Sequence, residues 1–206
     1  MTARRSPIYR SAALYELTML ALYRRHRAER LRAIAELIPS GARVVEACCG
    51  PGLLYRRHLR GKGVRYTGLD LSPAFVRRLV RAGVDGRVWD VREDRPLPAG
   101  DYVVMQGSLY QFLPDASPIV DRMLAAAREE VIVAEPVRNL THGPWVTPLA
   151  RLGDPGTGPT AHRFDERGLE ELFSAYGERV RRSFALAGGR ERAYVLAGSL
   201  GAASSV

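Results

Sequence analysis

The 206-residue chain contains little lysine and little cysteine. Lys62 is the single lysine among 31 basic residues, so arginine carries nearly all of the positive charge. The two cysteines, Cys48 and Cys49, are adjacent, which makes a disulfide between them awkward and leaves too few thiols for a structural zinc site. We therefore interpret both as small buried residues, with a reactive thiol as the alternative, and we expect no metal site.

Long apolar runs are also missing. No run approaches the roughly 18 residues that a membrane span needs. Residues 1–7 lack the apolar core of a secretory signal, so the expected location is cytoplasmic. The length and the 46% hydrophobic content suit one core and one main domain.

Three predicted strands carry an acidic residue at or near their ends. Residues 43–47 contain Glu46, residues 64–70 end on Asp70, and residues 86–90 end on Asp90. The first strand runs into a glycine turn, and ligands bind at the carboxyl ends of strands in parallel α/β sheets. An acid about 20 residues after such a turn is placed to bind ribose hydroxyls, and Asp70 has this spacing from Gly50.

Glu46 indicates the charge of the ligand. A carboxylate at the turn repels a phosphate and attracts an ammonium or a sulfonium, which favours S-adenosylmethionine (SAM). Residues 50–55 also lack the third small residue of the dinucleotide pattern Gly-x-Gly-x-x-Gly/Ala, which counts against an NAD-dependent oxidoreductase.

The segment Glu46-Ala47-Cys48-Cys49-Gly50-Pro51-Gly52 resembles the first motif of class I SAM-dependent methyltransferases, an acidic residue, any residue and then Gly-x-Gly-x-Gly. Cys48 stands at the first glycine, so the backbone there either avoids positive φ or bears strain. The resemblance implies that Asp90 binds the adenine amino group, that Val91 lies at the ring edge and that Leu71 packs on the ring face. The implied cofactor-binding set is Tyr15, Glu46, Ala47, Cys48, Gly50, Gly52, Asp70, Leu71, Asp90, Val91 and Gln106.

A fourth predicted strand, residues 101–106, precedes a segment over residues 107–115 that is similar to the family's fourth motif in its small-molecule form. The Asn/Asp-Pro-Pro-Tyr/Phe and Pro-Cys motifs of nucleic-acid base methylases are absent there. Tyr110 is one candidate general base. Residues 137–164 show no periodicity and are interpreted as a substrate lid that carries His142, the second candidate base, with an inert surface loop as the alternative.

The remaining pattern completes the fold class. Ser72 and Ser117 are predicted N-caps of two helices, whose inner faces are Phe75, Val76, Leu79 and Val80 in the first and Ile119, Val120, Met123, Leu124 and Ala127 in the second. A strand over residues 131–135, a helix over 165–176 and a hairpin of strands 179–186 and 191–197 follow. We predict a three-layer α/β fold with a doubly wound, mostly parallel seven-stranded sheet and an antiparallel C-terminal hairpin.

Residues 1–40 are predicted to form a helical cover, residues 41–200 the SAM-binding domain and residues 201–206 a flexible tail. The pair Tyr15-Glu16 is similar to a Tyr-Asp pair that lies over the cofactor in small-molecule methyltransferases. Tyr9 is the competing candidate, and plain helical packing is the alternative for both tyrosines.

The formal charge of +9 permits an acidic substrate, an anionic membrane surface or RNA, and it does not choose between them. The arginines of residues 24–32 and 56–58 are interpreted as solvated faces, since no nucleic-acid module accompanies them. The function indicated is methyl transfer from SAM, with S-adenosylhomocysteine (SAH) as product, to a small-molecule or lipid-like acceptor. An RNA methyltransferase and a non-catalytic SAM-binding protein remain as alternatives, and the oligomeric state stays open.

Overall fold

A computed structural model describes residues 27–137 and 163–199. The first described helix, α1, occupies residues 27–37. The elements that follow are β1 Arg43–Ala47, β2 Arg65–Asp70, α2 Pro73–Arg81, β3 Asp85–Val88, β4 Gly100–Gln106, α3 Ser117–Ala126, β5 Ala127–Pro136, α4 Glu166–Ser174, β6 Val180–Leu186 and β7 Glu191–Ala197. Short helical turns at Tyr55–Leu59, Arg60–Lys62 and Leu109–Phe112 lie in the connections.

The strands form one seven-stranded sheet in the order β3-β2-β1-β4-β5-β7-β6. β1 is parallel to β2 and to β4, and the outer neighbours β3 and β5 continue this parallel arrangement. β7 is antiparallel to both β5 and β6. The predicted seven-stranded α/β fold with its antiparallel hairpin is confirmed. β2 and β4 lie on opposite sides of β1, so the winding reverses there, at the point where open α/β sheets bind ligands.

Helices cover both faces of the sheet because successive residues of a strand point to opposite sides. Val103 and Val131 belong to the buried cluster that packs against α3 and α4. Their neighbours Val104 and Ile132 belong to the second cluster, which packs against α1 through Leu31 and other residues. These two cores give the predicted three layers, and they hold the strand ends in fixed positions.

The inner face of α2 is narrower than predicted. Phe75, Val76 and Leu79 are buried, but Val80 is 55% exposed. Each residue of an α-helix is rotated by about 100° from the one before, and this rotation carries Val80 beyond the buried stripe. Ser72 precedes the helix as predicted, although its side chain makes no capping hydrogen bond.

The boundary between α3 and β5 also differs from the prediction. Ser117 is the first residue of α3, and Ala116 holds the N-cap position. Ala127 is the first residue of β5 rather than an inner position of the helix, because it pairs with Gly100 of β4. Strand pairing therefore sets the start of β5 well before the predicted residue Val131.

Within residues 27–137 and 163–199, no helix has the length and the apolar character that crossing a bilayer requires.

Candidate functional site

Acidic side chains collect at the carboxyl edge of the parallel strands. Glu46 lies near the end of β1, Asp70 ends β2, and Glu135 lies near the end of β5. Glu191 begins the reversed strand β7 and pairs with Pro136, which brings it to the same edge. The predicted accumulation of carboxylates at this edge is therefore present, and it includes two members from the second half of the chain.

The turn after β1 contains three residues with left-handed backbone. Cys48, Gly50 and Gly52 have φ angles of 55°, 55° and 67°. Of the two alternatives for Cys48, the structure adopts the strained one, since a residue with a Cβ rarely takes positive φ. The Cys49 amide donates a hydrogen bond to the carbonyl of Leu69 at 2.9 Å, which attaches the turn to β2.

The two glycines of this turn face different surroundings. A Cβ on Gly52 would lie 2.3 Å from Leu79 Cδ2, so Gly52 permits close packing between the turn and α2. A Cβ on Gly50 would meet no atom within 4 Å. Open space thus lies in front of the Gly50 backbone, where a ligand can approach it closely.

Asp70 fixes the position of Gly50. One carboxylate oxygen, Oδ2, accepts a hydrogen bond from the Gly50 amide at 2.8 Å, and Oδ1 accepts one from the Ser72 amide at 2.8 Å. Both carboxylate oxygens thus contact backbone amides of the turn and of the segment after β2, and each oxygen of an ionised carboxylate can accept more than one hydrogen bond. The next residue, Leu71, is 41% exposed and presents an apolar surface beside the carboxylate.

Glu46 is buried beneath the turn and is only 1% exposed. Tyr66 Oη donates to Glu46 Oε2 at 2.6 Å, and Gln106 Nε2 donates to Oε1 at 2.7 Å. Burial raises the pKa of Glu46 to about 7, although both hydrogen bonds act in the opposite direction. A cation placed above the turn would favour the ionised form of this carboxyl group.

Gln106 links Glu46 to Arg30 of α1. Arg30 Nε donates to Gln106 Oε1 at 3.1 Å, and Arg30 Nη1 donates to Glu191 Oε1 at 2.9 Å. The side chains of Arg30 and Glu191 are 12% and 8% exposed. The prediction that Arg30 lies on a solvated face is wrong, because acceptors from two distant strands enclose its guanidinium.

Glu135 holds the segment that follows β4. Its Oε1 accepts hydrogen bonds from the amides of Ser108 at 2.7 Å and Leu109 at 2.8 Å. The other oxygen, Oε2, is buried, and no described residue donates to it. Burial raises the pKa of Glu135 to about 7, against the effect of the amide hydrogen bonds.

Asp90 lies in the loop after β3 rather than at the end of that strand, because β3 ends at Val88. Its carboxylate accepts hydrogen bonds from Arg92 Nε at 2.9 Å and Nη2 at 2.6 Å. Val91 is buried beside it. Asp90 thus lies just beyond the carboxyl end of β3, and the surface residue Arg92 is a hydrogen-bond partner of its carboxylate.

Of the two candidate bases, Tyr110 lies in the helical turn after β4, and the guanidinium of Arg163 is 4.1 Å from the centre of its ring. His142 lies outside the described residues, as do Tyr15 and Tyr9 and nearly all of the proposed lid. Tyr110 is therefore the candidate whose surroundings are known.

The cysteines agree with their interpretation as structural residues. Burial raises the pKa of the thiols of Cys48 and Cys49 well above the ordinary value, with the nearby carboxylates acting in the same direction. Because the thiolate is the reactive form, neither side chain is a good nucleophile.

Comparison with known proteins assigns the chain to a family. Residues 27–154, more than half of the chain, match the family described as "Methionine biosynthesis protein MetW". The chain belongs to the MetW family.

Two curated relatives carry the same name. The trans-aconitate 2-methyltransferase of Variovorax paradoxus (strain S110) is 30% identical over 155 residues, which cover 63% of this chain and 58% of the relative. The protein of that name from Mycobacterium tuberculosis (strain ATCC 25177 / H37Ra) is 36% identical over 81 residues, which cover 39% of this chain and 31% of the relative. The chain thus spans less than two thirds of the length of either relative.

A solved structure with the same fold is that of magnesium protoporphyrin IX methyltransferase from Synechocystis PCC 6803 with bound SAH. The TM-score is 0.60 at 16% identity, and the match covers 82% of each chain. The class I methyltransferase fold that the sequence resembles is therefore confirmed.

Several site residues were missed in the sequence. Tyr66 could have been found from the glycine at position 68. Glu46 pairs in register with Gly68, and because glycine has no side chain, Tyr66, two residues before it on β2, reaches the Glu46 carboxylate. Arg30 and Glu191 had no such signal, since 161 positions separate them. Their contact depends on the packing of α1 against the finished sheet.

Proposed function

We propose that the protein is a SAM-dependent methyltransferase that acts on a small organic acceptor. The observation that carries the proposal is the glycine turn that Asp70 fixes above the buried Glu46, at the sheet edge where the winding reverses. Membership of the MetW family and the names of the trans-aconitate 2-methyltransferase relatives support it.

SAM fits the groups at this edge. Asp70 holds the glycine turn at the end of β2, the position from which a carboxylate binds ribose hydroxyls, and the exposed Leu71 offers a surface for the adenine ring. Asp90 and Val91 lie farther along the same side, where the adenine edge would reach. Ala47, Cys48, Gly50 and Gly52 shape the turn, and Glu46 and Gln106 lie on the side left for the methionine moiety. The predicted cofactor-binding set is kept as part of this proposal, including Tyr15.

A dinucleotide suits the same groups less well. Its pyrophosphate would lie over the glycine turn, where an ionised Glu46 would repel it. The cations of SAM have the favourable sign at this position. The charge beneath the turn therefore supports SAM over NAD as the ligand.

Bound SAM supplies a methyl group on a sulfonium, which is transferred by in-line displacement and leaves SAH. The protein's residues bind both partners, align them and exclude water, and alignment alone lowers such barriers by up to about 7–11 kcal/mol. No acid or base is obligatory for this reaction. Where the acceptor carries a proton, the candidates for accepting it are Tyr110, in the helical turn after β4, and His142.

The acceptor is proposed to be a small molecule with carboxylate groups. Arg163 lies against Tyr110 beside the end of β4, and an arginine there suits an anionic acceptor. The name trans-aconitate 2-methyltransferase borne by two relatives agrees with this chemistry. A lipid-like acceptor would carry the transferred methyl group into an organic extract, and RNA is distinguished by the salt dependence of its binding.

The test combines binding with turnover. We expect calorimetry to show saturable binding of SAM and SAH and none of NAD. With SAM carrying a tritiated methyl group, we expect label to enter trans-aconitate or a related polycarboxylate. Preferential NAD binding would refute the proposal, whereas SAM binding without transfer to any acceptor would indicate a binding protein. Label in RNA, with strongly salt-dependent binding, would identify an RNA methyltransferase instead.

A further inference from the structure

Arg30 is largely enclosed at the carboxyl ends of the strands, and the proposed reaction does not yet use it. Its Nε and Nη1 atoms donate to Gln106 and Glu191, which hold the guanidinium in one orientation. Arg32, two residues along the same helix, is exposed. Helix α1 thus contributes one enclosed cation to a group of strand-end carboxylates.

One edge of this guanidinium has no partner within residues 27–137 and 163–199. Arg30 Nη2 donates to none of the described residues, although arginine has five N–H donors. A Cβ on Gly107 would lie 3.5 Å from Nη1 and 3.6 Å from Nη2, so the guanidinium lies against the backbone just after β4. A side chain at position 107 would contact the guanidinium, and glycine leaves that space clear.

The direction of the proposed ligand places a specific group near Arg30. Asp70 and Asp90 follow β2 and β3, on one side of β1, and these residues would take the nucleoside. The opposite end of SAM, its amino-acid moiety, then points toward β4, where Gln106 lies. That moiety carries an ammonium and a carboxylate. Glu46 has the charge that suits the ammonium, and the carboxylate requires a cation.

The charges at the edge agree with this arrangement. The positive charge of Arg30 acts to lower the pKa of both Glu46 and Glu135, against the larger effect of burial, so its field reaches both carboxyl groups. Glu46, Glu135 and Glu191 would each repel the carboxylate of the ligand when ionised, and the positive charge of Arg30 offsets this repulsion. An arginine edge is also the side-chain geometry that binds carboxylates through two parallel hydrogen bonds.

We propose that Arg30 binds the α-carboxylate of SAM through the Nη2 side of its guanidinium, while Gln106 and Glu191 hold it in place. This inference rests on the proposed function and extends the cofactor site to α1. It makes Arg30 a specificity residue that selects SAM and SAH over analogues without the carboxylate.

The experiment measures binding of SAM and of decarboxylated SAM, which lacks only the carboxylate, to the full chain by calorimetry. We expect the wild type to bind SAM at least tenfold more tightly. In Arg30→Gln the affinity for SAM should fall about tenfold or more, as for loss of a charged hydrogen bond. Decarboxylated SAM should bind this variant as well as before or better, because a positive charge facing a more cationic ligand has been removed.

Arg32→Gln, at the exposed position on the same helix, is the matched control and should change neither affinity. Equal losses for both ligands in Arg30→Gln would show a structural role and overturn the inference. So would a wild type that binds both ligands equally, a comparison that needs no variant to fold. If the wild type binds neither ligand, the proposed function fails as well. If it binds SAM with an affinity that Arg30→Gln leaves unchanged, only the role of Arg30 fails.

Discussion

At the scale of single residues, Asp70 both shapes the glycine turn and faces the proposed ribose. In Asp70→Asn the side chain keeps its shape and loses its charge. We expect the SAM dissociation constant to rise about tenfold or more, since hydrogen bonds to charged groups contribute about 1.5–3 kcal/mol. Titration calorimetry measures the change.

Asp85→Asn is the control for this variant. Asp85 is the first residue of β3 and lies at the amino ends of the parallel strands, away from the proposed site, where it accepts hydrogen bonds from Thr67 and Arg87. Its replacement should leave SAM binding unchanged. A similar loss of affinity in both variants would mean that Asp70 does not contact the ligand.

Glu46 gives a second prediction at this scale. Its pKa of about 7 means that it is largely protonated in acid, while a cationic ligand favours the ionised form. SAM affinity should therefore rise between about pH 5.5 and pH 7.5, with proton release on binding at the lower end. Calorimetry in buffers of different ionisation enthalpy measures both quantities. Glu46→Gln should flatten the dependence of SAM affinity on pH. The amine of the ligand titrates equally with both proteins, so its effect cancels when the variant is compared with the wild type.

The same shift predicts how folding responds to pH. Because the pKa of Glu46 is higher in the folded protein than in the unfolded chain, the folded state binds more protons between the two values. The free energy of unfolding should then fall as pH rises from about 4.5 through 7. Glu135 contributes with the same sign, so Glu46→Gln should weaken this slope without removing it. A slope unaffected by the substitution would argue against a raised pKa.

At the scale of elements, the two glycines of the turn after β1 have different roles: Gly50 faces the space proposed for the ligand, and Gly52 packs against α2. Gly50→Ala and Gly52→Ala both place a Cβ at positive φ, which costs about 1–2 kcal/mol. Only the second also drives a methyl group into Leu79. We expect Gly52→Ala to lower the free energy of unfolding more than Gly50→Ala does, as measured with urea. Gly50→Ala should instead show the larger loss of SAM binding relative to its loss of stability, and the reverse order would contradict these assignments.

The segment after β4 depends on Glu135. Glu135→Ala leaves the amides of Ser108 and Leu109 buried without their acceptor, and each such group costs about 1–3 kcal/mol. Glu135→Gln keeps an acceptor oxygen at this position and should cost much less. Urea unfolding of the two variants provides the comparison. Equal stability of Glu135→Ala and the wild type would show that this carboxyl group does not hold the segment.

The elements also show which parts of the structure the sequence could predict. Local signals, among them alternating apolar residues, terminal acids and a glycine-centred turn, located six of the seven strands closely. The start of β5 was missed since Leu124 to Ala127 contain no helix-breaking residue. The strand begins there because Ala127 pairs with Gly100 and packs closely against Gly198, contacts that no local pattern encodes.

At the scale of the whole molecule, α1 is joined to the sheet by more than an apolar face. The single lysine, Lys62, donates from Nζ to the carbonyls of Ala35 and Ile38 at the end of the helix. Glu29 accepts a hydrogen bond from the Ala187 amide of the C-terminal hairpin. These contacts, with the pair of Arg30 and Glu191, explain why an arginine in a basic segment lies beside Gln106 at the ends of the strands. Charge composition could not reveal this, since it does not distinguish a buried guanidinium from a solvated one.

The central claim is that the acidic carboxyl edge of the sheet binds SAM in one orientation. A crystal structure of the protein with SAH tests it most directly. We predict adenosine on the β2 and β3 side, with its ribose hydroxyls on Asp70, and the amino-acid moiety above Glu46 and beside Gln106. Adenosine on the β4 side, or SAH bound away from the glycine turn, would contradict the account.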